Sequence, residues 1–194
     1  MTDPTDKLTP LARNILKRDA LGAYSRLVVP PQTGNPNALA DLQAITDANS
    51  LCATFVTNPG EAKAMLAGLW LWHDYLDESH HIAQELHTPS GSFWHAIVHR
   101  REGDFGNSKY WYAKAAGHPM FPVLNVQANA IINSQPADKS LLRLNFDGWN
   151  NDAFVDLIEQ VHDQPADPRH RVAIALQQLE WRLLFDHCAR TAQG

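Results

Sequence analysis

The chain has 194 residues, a formal charge of −5, 44% hydrophobic residues and two cysteines. That length fits one domain over 1–194, with 1–37 as an N-terminal extension, and the apolar content is enough for a sizeable core. The acidic balance excludes general binding to nucleic acid or to an anionic membrane, both of which need a basic surface. A small polar or anionic molecule remains as the expected partner. The longest apolar run, Ala64 to Trp72, is nine residues, about half of a membrane span. The opening "MTDPTDKLTP" has no basic stretch leading into an apolar run, so a cytoplasmic protein is expected, with Cys52 and Cys188 as free thiols.

Four positions pair a capping side chain with proline: Thr9-Pro10, Asn35-Pro36, Asn58-Pro59 and Asp167-Pro168. The first side chain accepts a hydrogen bond from a free helix N–H, and proline at the next position loses nothing, since its missing N–H would be unpaired there. The stretch "VVPPQTGNPN" (Val28 to Asn37), which contains the second pair, reads as a linker. From Pro59 one long helix is expected, reaching Leu86, with Leu69, Trp72, Leu76, Ala83 and Leu86 on one stripe. A shorter helix is predicted over Ser92–Glu102 and ends at Gly103, a residue suited to the left-handed C-terminal cap. Others are predicted over Asn107–Ala116, Asp152–His162 and onward from Asp167. Val123 to Ile132 is ambiguous, because "VLNV" alternates like a strand while "QANAII" reads as helix. The fold class that follows is all-α, one compact multi-helix domain with at most a short hairpin near Leu124 or Arg143.

Chemistry concentrates in two stretches. Residues at i, i+4 and i+7 share a helix face. His73, Asp77 and His80 have that spacing in "HDYLDESH", and His95, His99 and Glu102 have it in "HAIVHRRE". The connection "HTPSGS" is short, which favours neighbouring antiparallel helices. Imidazoles and carboxylates together suit zinc, iron or manganese, and bundles build such sites from facing helices. The spacing matches neither the zincin "HExxH" nor the paired "ExxH" of di-iron bundles.

Two other readings share these residues. Arg100, Arg101 and Lys109 offer cations for an anionic substrate, with Asn107 capping the next helix and Tyr110 available to stack. Alternatively the arginines pair internally with nearby carboxylates, the tryptophans belong to the core, and the whole stretch is a structural polar network. Ser79 and Ser92 lie near histidines in sequence, but neighbours along a helix turn apart, and no nucleophile elbow or phosphate loop is present.

The segments "GLWLWHDYLDESH", "GSFWHAIVHRREGDFGNSKYW", "GHPMF" and "LEWRLLFDHC" together resemble an uncharacterised family of soluble proteins carrying a "WHAIxHRREGDxxNxKYW" segment. The resemblance implies a shared fold and no particular activity. The functional expectation therefore rests on the residues: a metal-dependent enzyme acting on a small polar or anionic substrate. Glu102 or Asp104 would serve as general base, and Arg100, Arg101 and Lys109 would hold the substrate. The alternative is a non-enzymatic module that binds a small anion or a partner protein.

Overall fold

The structure is a computed structural model that describes residues 4–18, 22, 24–134, 139–144 and 147–194. It is all-α. Nine α-helices are present among the described residues: α1 (Pro10–Lys17), α2 (Pro36–Gln43), α3 (Pro59–Trp72), α4 (Leu76–Gln84), α5 (Pro89–Glu102), α6 (Phe105–Lys114), α7 (Met120–Asn133), α8 (Asn151–Val161) and α9 (Pro168–Gln193). The expected hairpin is absent from the described residues. Leu124 is buried inside α7, Arg143 lies in a short 3₁₀ segment, and Leu8 and Cys52 form an isolated bridge of extended backbone.

The helix starts follow the capping logic. Thr9, Asn35, Asn58 and Asp167 each accept a hydrogen bond from a backbone N–H in the first turn of the helix they precede. Thr88-Pro89 is a fifth pair of the same kind, opening α5 earlier than Ser92. Gly103 closes α5 at φ 85°, the left-handed conformation that costs glycine least. In α7 the prolines fall at the N-terminal end, where a missing N–H breaks no helical bond, so "VLNV" continues as helix.

The expected long helix from Pro59 to Leu86 is two helices. It breaks at residues 73–75, with Asp74 at φ 63°, and the N–H groups of His73 and Tyr75 both turn back to the carbonyl of Trp70. No glycine or proline marks this break. Tertiary bonds hold it: the Arg101 guanidinium donates to the carbonyl of Leu71 and to Asp74, and a ring nitrogen of His73 reaches the carbonyl of Ile15.

α5 is the central element. Eleven of its residues are buried, and α3, α4 and α6 pack around it. The main core contains Trp94, Ile97, Met65 and Phe185, and a second core joins α7, α8 and α9 through Leu124, Phe154 and Leu176. Phe105 and Met120 pack against both. Leu8, Ala12, Ile15 and Tyr24 are buried in the main core, so this part of residues 1–37 is bound into the body of the fold. The thiols of Cys52 and Cys188 are both free and buried. Among the described residues, no helix is long and apolar enough to cross a membrane.

Candidate metal centre

Where α4 and α5 meet, the loop between them is tight: a Cβ on Gly91 would lie 2.3 Å from the carbonyl oxygen of Leu86. Only a residue without a side chain lets α5 turn back this closely. The turn brings His80 of α4 against His95 and His99 of α5. The Nε2 atoms of His80 and His95 are 2.8 Å apart, and one ring nitrogen from each of the three histidines lies within 4.8 Å of the others. This cluster could hold a metal ion. Ligand nitrogens around a tetrahedral ion sit about 3.3 Å apart when each bond is about 2.0–2.1 Å, so small side-chain adjustments separate the observed geometry from coordination.

Glu102 lies behind the cluster. One carboxylate oxygen is 3.4 Å from Nδ1 of His80 and the other 3.2 Å from Nδ1 of His99. A carboxylate that engages Nδ1 leaves Nε2 as the ligating nitrogen, the usual support for a metal-bound imidazole. The contact to His99 is out of line for a hydrogen bond, and Nδ1 of both His95 and His99 is buried without a hydrogen-bond partner. Trp111 closes the far side, stacked on the His95 ring at 4.0 Å between centroids.

Protonation follows from this packing. Burial, then repulsion from His80 and His99, lowers the pKa of His95 to about 4. Burial also acts to raise Glu102, but the contacts from His80 and His99 outweigh it and bring the carboxyl down to about 2. The Glu102 hydrogen bond raises His80 against the opposing effect of burial. Near neutral pH the cluster therefore contains a neutral His95 and an ionised Glu102, the forms a metal requires.

Other residues expected at the site are placed elsewhere. His73 lies beyond the break between α3 and α4, buried, and bonded to Asn35 and to the carbonyl of Ile15. The i, i+4, i+7 row from His73 does not exist, because a row needs an unbroken helix. Asp77 is exposed in the first turn of α4 and acts on His80 only through its charge. Asp104 caps α6 by accepting from Asn107, and its carboxylate is 3.8 Å from Nδ1 of His99. The Asn107 side chain is spent on that cap.

The anion-binding half does not assemble. Arg100 is wholly buried, donating to Glu180 and Tyr112, and lies 4.7 Å over the Phe154 ring. Arg101 is equally buried against Asp74, with its guanidinium 4.0 Å over the Tyr24 ring. Lys109 pairs with Asp156 on α8. Tyr110 is exposed beside Trp111 and Lys114. A buried guanidinium needs its own carboxylate, and both arginines have one.

Among the described residues one serine meets a histidine, and it is neither Ser79 nor Ser92. Ser90 Oγ lies 3.2 Å from Nε2 of His118 and donates to Glu61 at 2.9 Å. Nδ1 of His118 accepts the N–H of Met120, so in the neutral ring Nε2 carries the proton and donates to Ser90. A general base needs the opposite tautomer, and this trio is structural.

No family model, curated protein or solved structure matches the chain.

Proposed function

We propose that the protein is a metal-dependent enzyme whose ion is held by His80, His95 and His99, acting on a small polar molecule. One observation carries this reading: three imidazoles from two helices converge within 4.8 Å with a carboxylate behind two of them. Zinc, iron and manganese all accept such a donor set. Three protein ligands leave a coordination position for water or substrate, the arrangement of catalytic rather than structural zinc sites. A metal there would supply Lewis-acid chemistry and an activated water. Glu102 is exposed at the rim, where it orients His80 and His99 and remains within reach of a proton on an incoming group.

The 2.8 Å contact between His80 and His95 favours one competing reading, in which the histidines close on each other as a structural network with no ion. Melting temperature distinguishes the two. Stoichiometric zinc added to chelator-treated protein should raise it, and the gain should vanish in His95→Ala but persist in His87→Ala, which changes an exposed loop residue. Under the network reading His95→Ala lowers stability, while zinc and chelator leave the wild type unchanged.

A further inference from the structure

Beside the metal centre runs a cleft of about 400 Å³ between the Val29–Gly34 segment and the start of α4. Its lining holds four carboxylates, Asp74, Asp77, Glu78 and Glu102, and no lysine, arginine or histidine among the described residues. Two of these charges are already answered, Asp74 by Arg101 and Glu102 by the histidines. Asp77 and Glu78 are exposed in the first turn of α4 and have no ion-pair partner among the described residues. The aromatic wall is Tyr75, held rigidly: its hydroxyl donates to the carbonyl of Asn35, and Trp70 packs edge-on at 5.4 Å. Gly34 lies directly against that ring, where a Cβ would come within 2.1 Å of Tyr75 Cε1. Pro31 completes the apolar side.

The cleft is more than an acidic patch. Glu102 joins the cleft to the metal centre, its carboxylate lying 3.4 Å from Nδ1 of His80 and 3.2 Å from Nδ1 of His99. Carboxylates without partners, a fixed aromatic face and an apolar wall form the chemistry that holds an organic cation, through charge and through the ring quadrupole. We propose that this cleft binds a small protonated or quaternary amine, delivered with its polar end toward Glu102. This rests on the metal-centre reading for the purpose of the site, and it reverses the sign of the substrate expected from the arginines and lysine in sequence. An anion would meet four carboxylates with no cation to hold it.

The test uses ligands matched in size: n-butylammonium, n-butanol and butyrate, with tetramethylammonium as a cation that cannot coordinate a metal. Each is titrated by nuclear magnetic resonance into metal-free and zinc-loaded protein, following backbone amides of residues 74–78. Both cations should bind at least tenfold more tightly than n-butanol, with butyrate weakest. Asp77→Asn with Glu78→Gln should lose at least tenfold of the cation affinity, while His87→Ala keeps it. Cations that bind no better than n-butanol, tighter binding of butyrate, or affinity that survives the double substitution would each overturn the proposal. Failure of zinc to bind while the cations do would remove the metal reading and leave the cleft. Zinc binding without cation binding would do the reverse.

Discussion

His99 and Arg100 are consecutive residues of one helix, yet they belong to polar clusters built on opposite principles. Arg100, Tyr112 and Glu180 form a complementary group: a cation, a hydroxyl and an anion, all buried, with both terminal guanidinium nitrogens paired. His80, His95 and His99 form a group of like with like. Their rings crowd within 5 Å of one another, two ring nitrogens lack hydrogen-bond partners, and one carboxylate serves more than one ring. A cluster that serves the fold sets opposite charges against each other, because an unpaired charge in the core is costly, and here it leaves Arg100 Nε as its one atom without a partner. The histidine cluster sets like against like, and it could hold a metal ion.

The largest effect tests the complementary side. Glu180→Ala strands a buried guanidinium and should cost about 3–5 kcal/mol, read as a lower urea midpoint. A loss below about 1 kcal/mol would show that Arg100 finds water or another anion. On the histidine side, zinc at about a hundred times its dissociation constant should stabilise the wild type by about 2.7 kcal/mol. His95→Ala should show none of that gain in the same thermal scan. Glu102→Gln keeps the shape but loses the charge that orients His80 and His99, so zinc affinity should fall about 10–100-fold with the helical circular dichroism spectrum unchanged. An unaltered affinity would place Glu102 outside the metal's support.

The last effect is a slope with pH. Burial, with the neighbouring His187, lowers the pKa of His118 to about 4 from an ordinary 6.5, and His95 is lowered to about the same value. The unfolded chain takes up these protons near 6.5 and the native chain only near 4. Stability should therefore be full above 6.5 and decline as pH falls toward 4. In metal-free protein, His118→Gln should flatten part of that decline. A profile as steep as the wild type would assign it to other groups. Glu102 adds loss at lower pH, between its ordinary 4.5 and about 2.

Local chemistry was legible in the sequence wherever one residue and its near neighbours settle the outcome. Thr9, Asn35, Asn58 and Asp167 each cap a helix in the structure, because a cap needs only a short side chain and the next few N–H groups. The all-α class followed from those starts and from the apolar stripes. His95, His99 and Glu102 were rightly grouped, since an unbroken helix makes i, i+4 and i+7 neighbours without help. The row of His73, Asp77 and His80 failed for the same reason turned around. Buried Arg101 holds Asp74 in a left-handed turn, and nothing at positions 73–75 signals a partner that lies some thirty residues away. The fates of the cations were equally hidden. Arg100 is a core residue because Glu180 of α9 lies against it, and Lys109 is occupied because α8 brings Asp156. Residue type alone determined which groups would need a partner. Only the packing of distant helices decided which of those needs the chain meets by itself: it gave Arg100 and Lys109 their carboxylates and left Nδ1 of His95 and of His99 without a hydrogen-bond partner.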